Sequence, residues 1–404
     1  MQRRPTFSAR TAWDTSETEL ARAIIERRER ELPLLDLTAS NPTHCGFVYD
    51  EVAILSALAR RESLVYDPDP RGKTQAREAV AKYYLDHGAR VDPEQLFLTT
   101  STSEAYSFLF RLLCDPGDEV LIAQPSYPLF DFLAQIENVR LVPYPLFYDH
   151  GWRMDAEALR SQIMAQVTSK TRTIGLVHPN NPTGHFTKDF ERAELEELCA
   201  EHGLALIVDE VFLDYGVGGH AGRSFASGPH PVLTFVLSGL SKIAALPQMK
   251  AAWIAAFGPK PELGQALGRL EIIADTFLSM NAPVQCALPE WLAGRERLQA
   301  QISARVEENL GRLDTLLSSQ TMVSRLEVEA GWYAVLRVPA LESGEDLALR
   351  LIRDHGVSIH PGYFFGFGGD GWLVVSLLTR VSEFLAGIDA ICSFFNEMGD
   401  EFKA

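Results

Sequence analysis

From about residue 95 the chain alternates between short apolar, β-rich runs and longer stretches with apolar positions at helical spacing. The apolar runs fall at 95–99, 119–123, 139–143, 172–177, 204–208 and 232–237. Helices are predicted over 104–113, 155–165 and 188–202 between them. Strands separated by helices predict a parallel α/β sheet, in which ligands lie beyond the carboxyl ends of the strands. Polar residues follow the runs at 95–99, 119–123, 172–177, 204–208 and 232–237, so such a sheet brings them to one crevice. Ahead of this region, Ser16-Glu17-Thr18-Glu19 opens a charged helix that runs through Arg30 and stops before Pro33. A short strand at 34–37, a turn at Ser40-Asn41-Pro42-Thr43, and helices over 50–61 and 73–86 follow, the last two separated by a loop with two prolines at 66–72. Beyond the alternating region, 261–318 is dominantly helical. Strands at 333–338 and 372–377, helices at 345–355 and 381–397, and a glycine-rich loop over 361–371 then form a smaller α+β unit. The expected division is an N-terminal segment 1–49 that joins the small unit, a large unit 50–285, and a small C-terminal unit 286–404.

Composition narrows the class. A chain of 404 residues buries a large core and exceeds one ordinary domain. The net charge of −17 argues against nucleic acid or an anionic membrane as a partner. No apolar run approaches bilayer length, and Met1-Gln2-Arg3-Arg4-Pro5 has no apolar stretch behind it, so neither a span nor a secretory signal is expected. The five cysteines lie far apart, form no C-x-x-C pair and suggest no metal site. A cytoplasmic enzyme with reduced cysteines is the expectation.

Candidate chemistry centres on Ser238-Gly239-Leu240-Ser241-Lys242, directly after the run 232–237. A lysine on a turn of small residues at the mouth of a buried strand faces the crevice. Desolvation there lowers its pKa and makes it a nucleophile toward an aldehyde. Alone, the same dipeptide also describes a solvated surface lysine. Ser101-Thr102-Ser103 opens a helix with three hydroxyls and free amides, which reads as an N-cap or as an anion site. Asn180-Asn181-Pro182-Thr183-Gly184 is a rigid turn with one free amide. Asp209 closes the apolar run 204–208, where a carboxylate needs a partner, and a cationic ring nitrogen would supply one. Tyr127, behind Pro125, offers a flat face at the same edge.

With these residues in hand the chain resembles the class I/II aminotransferases of the aspartate aminotransferase superfamily. Asn181-Pro182-Thr183-Gly184 is similar to their N-P-T-G, Asp209-Glu210-Val211-Phe212 to D-E-x-Y, Gly239-Leu240-Ser241-Lys242 to G/S-x-S-K, and Asp115-Pro116-Gly117-Asp118-Glu119-Val120 to P-G-D-x-V; Tyr66 stands at the tyrosine near Y-x-x-x-G. The resemblance covers nearly the whole chain. It implies the pyridoxal-phosphate (PLP)-dependent transferase fold type I: an α/β architecture with a large domain on a mostly parallel central sheet and a smaller α+β domain. It also implies pyridoxal 5'-phosphate as cofactor and transfer of an amino group from an amino acid to a 2-oxo acid. Lys242 would hold the cofactor aldehyde covalently and shuttle the substrate proton. Asp209 would pair with the ring nitrogen, Asn181 with the ring hydroxyl, and Tyr127 would stack on the ring. Ser101, Thr102, Ser103, Ser241 and Lys250 would bind the phosphate. Tyr66 would reach the phosphate of a neighbouring subunit, which makes the active unit a homodimer with shared sites.

Three positions depart from the family pattern. Lys250 replaces an arginine that would grip phosphate with two N–H groups. Phe212 replaces a tyrosine whose hydroxyl would serve the ring oxygen, a gap that Tyr215 or water would have to fill. Most consequentially, Trp372-Leu373-Val374-Val375-Ser376 puts Val374 where the family has the arginine that clamps the substrate carboxylate. Arg380 is the nearest cation in sequence. Ser40-Asn41 replaces the glycine the family has after the first strand. The aromatics of Pro361-Gly362-Tyr363-Phe364-Phe365-Gly366 and Trp332-Tyr333 are either pocket lining or small-unit core; as lining they suit an apolar or aromatic amino donor rather than aspartate or glutamate. Two other functions stay open at this stage. One is a lyase or decarboxylase on the same fold. The other is a non-enzymatic cofactor sensor, against which the acidic charge argues.

Overall fold

The computed structural model describes residues 6–128, 130–148, 151–152, 156–278 and 280–401, with the side chains of 400 and 401 left out. Met1–Pro5 and Asp155, where one predicted helix starts, lie outside the described residues. The strands in chain order are β1 Leu35–Asp36, β2 Leu96–Thr99, β3 Glu119–Gln124, β4 Arg140–Pro145, β5 Thr171–Val177, β6 Ala205–Asp209, β7 Thr234–Gly239, β8 Ala252–Phe257, β9 Ser324–Arg325, β10 Tyr333–Arg337, β11 Val357–Ser358, β12 His360–Pro361 and β13 Trp372–Ser376.

Seven of them form one sheet in the order β2-β8-β7-β6-β5-β3-β4. β8 is antiparallel to both neighbours and every other pair is parallel. The central strands are buried on both faces, which is why they read as unbroken apolar runs rather than alternating ones. Helices Thr102–Leu113 and Lys260–Phe277 cover one face. Thr74–Asp86, Asp189–His202 and Ala282–Ala293 cover the other. β8 was absent from the sequence reading. Its run, Ala-Trp-Ile-Ala-Ala-Phe, mixes three alanines, poor strand formers, with three good ones, and pairing on both edges holds it as a strand. The helix predicted over 104–113 starts two residues earlier. The one predicted over 50–61 shortens to Glu51–Ser56, with a separate 3-10 turn at Arg61–Leu64.

The second core gathers around the antiparallel sheet β12-β13-β10-β9. Here the N-terminal segment returns: β1 pairs in parallel with β11, Leu35 opposite Val357, and Leu20, Leu37 and Cys45 join Val335, Leu373 and Phe384 in one cluster. The long helical stretch is three helices, and core membership changes among them. Leu288 and Trp291 pack with the large sheet, whereas Leu298 and Ile302 on Glu296–Leu317 pack with the small one. Phe212, Tyr215 and Ala245, from the rim of the large sheet, also enter the second core. The crevice between sheet rim and second core is where the candidate site lies.

Candidate active site

Strand register assembles the site. Thr99 at the end of β2 pairs with Ala252 of β8, and Ala252 pairs with Gly239 at the end of β7. Three chain segments, 100–103, 240–242 and 250–251, therefore leave the sheet side by side. Gly239 is required by close approach: a β-carbon there would sit 2.8 Å from the Ala251 carbonyl oxygen. β7 runs straight into the helical turn Leu240–Ile243, which lifts Lys242 above the sheet edge. Its Nζ lies 4.5 Å from the centre of the Trp332 ring and 5.3 Å from that of Phe212. Burial among these rings lowers its pKa to about 8, against the opposing pull of Asp209.

Asp209, at the end of β6, is buried and accepts one hydrogen bond, from the Val211 N–H at 3.1 Å. Burial raises its pKa to about 7, opposed by that N–H and by Lys242. The Tyr106 hydroxyl faces this carboxylate without completing a hydrogen bond. Tyr106 was missed in the sequence. Its only signal is a phenol on the otherwise apolar face of the helix Thr102–Leu113.

In the turn after β5 the two asparagines divide their work. Asn180 is consumed locally, donating to the Pro125 carbonyl at 3.2 Å and accepting from the Thr183 hydroxyl at 2.8 Å. Asn181 is buried with its Oδ1 unpaired. A buried, unpaired amide oxygen costs about 1–3 kcal/mol unless something else meets it. Ser101 is the N-cap of its helix, its Oγ accepting from the Glu104 N–H at 3.1 Å. Glu104 in turn accepts from the Thr100 N–H and hydroxyl. That leaves the amides and half-buried hydroxyls of Thr102 and Ser103 without a described partner at the positive end of the helix. Tyr127 is 40% exposed, edge-on to Phe130 with ring centres 6.1 Å apart.

The remaining expected residues stand apart. Ser241 is half-buried beside Lys242. Lys250 is exposed, with a left-handed φ of 51°, two residues before Ala252. Tyr66 is 79% exposed on a loop that lines a cavity with Leu278 and Asn281, and no described contact ties it to Lys242. The Phe212 gap is not filled by Tyr215, whose hydroxyl donates to the Lys242 carbonyl at 2.6 Å. Val374 is fully buried, paired with Val335 and His360, and no position of β13 carries a cation. Arg380 is exposed and lies against Gly46. Among the described residues, Lys242 is the one cation acting on Asp209, and Asp209 and Cys45 are the ionisable groups acting on Lys242. Trp332 is fully buried in the second core, with its ring against the Lys242 amine and its Nε1 unpaired.

An amine, a buried carboxylate and a free amide at the carboxyl edge of such a sheet, with a helix N-terminus beside them, define a transferase of fold type I. Residues 36–385 match the family described as aminotransferase class I and II, and the chain belongs to that family. It is 24% identical over 371 residues to glutamate-pyruvate aminotransferase AlaA of Haemophilus influenzae, covering 90% of this chain and 91% of that one. It is 28% identical over 382 residues to arginine–pyruvate transaminase AruH of Pseudomonas aeruginosa, covering 91% and 90%. Among solved structures, alanine aminotransferase from Pyrococcus furiosus superposes with a TM-score of 0.87 at 22% identity, over 97% of this chain and all of that one. The activity is transfer of an amino group to a 2-oxo acid, in a family known to use pyridoxal phosphate. Among the described residues no helix is long and apolar enough to cross a membrane.

Proposed function

We propose that the crevice holds pyridoxal 5'-phosphate and passes an amino group from an apolar or aromatic amino acid to a 2-oxo acid. The observation that carries this reading is the set of unmet groups around Lys242. Asp209 is buried with one N–H partner, which fits a protonated ring nitrogen. Asn181 has an unpaired Oδ1, an acceptor that fits a ring hydroxyl donating to it. The open first turn at Thr102 fits a phosphate, with Ser101, Ser103, Ser241 and Lys250 alongside. Tyr127 covers one ring face.

When bound, the cofactor supplies an electrophilic aldehyde and a ring that accepts the electron pair left by the broken Cα–H bond. The chain supplies the rest. Lys242 would hold the cofactor through its neutral amine, the form that desolvation favours; once displaced by the substrate's own amino group, it would be free to take the Cα proton and return it one carbon away. Asp209 would keep the proton on the ring nitrogen. Trp332 and Phe212 exclude water from the amine. The apolar lining by Phe212, Trp332, Tyr333 and Tyr127 supports an apolar or aromatic donor. Pyruvate is the acceptor to try first, because the names of both relatives contain it.

We also assign the phosphate contact of Tyr66 to a second copy of the chain, with a homodimer as the active unit. Leu64, Tyr66 and Ile272 are 88%, 79% and 70% exposed, large apolar side chains that a second copy would cover. The enzyme is expected in the cytoplasm.

The experiment is an absorption spectrum of the purified protein. A visible band that is lost on borohydride reduction and absent in Lys242→Ala supports the cofactor and the lysine; no band sinks both. Conversion of the band by an amino donor, and its recovery on adding pyruvate, marks amino transfer. The cation-free β13 favours one rival, a lyase or decarboxylase, for which release of ammonia or carbon dioxide during turnover is diagnostic.

A further inference from the structure

Glu329 lies between β9 and β10, three residues before Trp332, and is held from across the crevice. Both its carboxylate oxygens lie 2.6 Å from Lys188 Nζ. Its Oε2 accepts from the Phe186 N–H at 2.9 Å and lies 3.5 Å from His185 Nδ1. The other imidazole nitrogen of His185 meets Glu191 at 2.9 Å. His185, Phe186 and Lys188 follow directly on the turn that carries Asn181. The backbones are joined as well: the Val217 N–H donates to the Glu329 carbonyl and the Gly331 N–H to the Tyr215 carbonyl, both at 2.8 Å. Gly184 abuts Ala330 so closely that a methyl group there would overlap the Ala330 carbonyl.

We propose that Glu329 is a positioning residue for amino transfer, a clamp that fixes the Asn181 turn of the large sheet to the Trp332 segment of the second core. Asn181 and Trp332 bound the space in which the Lys242 amine works, and they belong to different cores. Phe212 and Tyr215 reach Trp332, and Phe186 packs with Ala330, but the Glu329 cluster is the charged tie between the Asn181 turn and the Trp332 segment. Its four side chains alternate in charge along the chain of contacts Glu191, His185, Glu329, Lys188, and are 7%, 8%, 13% and 29% exposed. Buried ion pairs contribute little net stability against an apolar replacement, and fixing register is their best-attested role. The Glu329 carboxyl is held down to about 2, principally by its hydrogen bonds from His185 and Lys188 outweighing burial, so the clamp stays charged across the working range. Loosening it moves Lys242's surroundings rather than the chemistry of Lys242, and displacements of this kind cost roughly ten- to a hundred-fold in rate.

The inference rests on the proposed site, so the test separates the two. Wild type, Glu329→Gln, Lys188→Met and the charge-reversed pair Glu329→Lys with Lys188→Glu are assayed as holoenzymes for donor and pyruvate half-reactions. Iodide quenching of the Trp332 fluorescence, isolated by difference with Trp332→Phe, is measured on each. Expected are a roughly ten- to hundred-fold fall in kcat with KM within about threefold in both single variants, increased quenching of Trp332, and partial recovery of both in the reversed pair. Lys188→Met keeps the test open should Glu329→Gln fail to fold. Single variants with kcat within twofold of wild type, or with a loss that tracks the fraction unfolded in urea while Trp332 quenching is unchanged, overturn the clamp. A wild type with no amino transfer sinks the proposed function instead, and the quenching still reads the clamp.

Discussion

Replacing Asp209 by asparagine should stabilise the cofactor-free protein while destroying its activity. Asp209 is buried, accepts one N–H, and has its pKa raised from 3.8 to about 7. A rise of about three units at about 1.4 kcal/mol each sets a burden of about 4 kcal/mol on the folded state once the group is ionised. The folded pKa lies above the unfolded one. The folded state therefore gains from holding this proton below pH 3.8, and loses that advantage as pH rises through about 7. Asparagine removes the charge but also strips Lys242 of its counter-charge, so we expect a net gain of about 1–3 kcal/mol at pH 8 and none at pH 4. Urea unfolding of the stripped wild type and variant at the two pH values measures it. With cofactor restored the ring nitrogen loses its partner, and turnover should fall about 10²–10³-fold. A variant no more stable than wild type at pH 8, or equally stabilised at pH 4, would refute the claim that an unmet carboxylate sits here.

Three further outcomes follow from the geometry. Val374→Arg should cost about 3–5 kcal/mol, because it buries an unpaired charge between Val335 and His360; a stable variant with a lowered KM for pyruvate would show that the position opens to the substrate instead. Gly184→Ala should cost about 1–3 kcal/mol in thermal or urea unfolding, since φ is +73° and the methyl meets Ala330; an unchanged midpoint contradicts the close join. The rate at which stripped protein recaptures pyridoxal phosphate should rise about tenfold per pH unit up to about 8 and level above it, because only the neutral Lys242 amine attacks; a flat stopped-flow profile argues against a desolvated lysine.

The fold was legible where burial is two-sided. β5, β6 and β7 show as apolar runs because their central residues, 174–177, 205–208 and 235–237, are buried on both faces. β8 did not, because its alanines weaken the signal and its strand state is completed by neighbours more than 150 residues away on one side and by an antiparallel return from β7 on the other. Lys242, Asp209 and Asn181 were readable because each sits at the end of such a run, where direction along the chain fixes position in space. Trp332 and Tyr106 were not, since an aromatic looks the same whether it fills a core or covers an amine; only the 4.5 Å approach to Lys242 decides it for Trp332. Tyr215 shows the reverse case. Its hydroxyl was a plausible substitute for the one absent at Phe212 until the structure committed it to a backbone carbonyl.

The pairing of β1 with β11 has a bearing on how the polypeptide matures on the ribosome. Leu35 and Val357 are neighbours in space, yet the ribosome makes more than 300 residues between them. The large sheet is drawn from a nearly contiguous stretch and can form while synthesis continues. The segment around Leu35 then waits unpaired until β11 appears. Trp332 arrives late as well, so the wall over Lys242 is one of the last parts laid down. A nascent chain can thus own the lysine, the carboxylate and the anion-binding helix long before it owns a closed pocket. Any product released early from the ribosome would present an uncovered amine and an unpaired N-terminal strand, and unpaired strand edges make partly folded chains prone to aggregate.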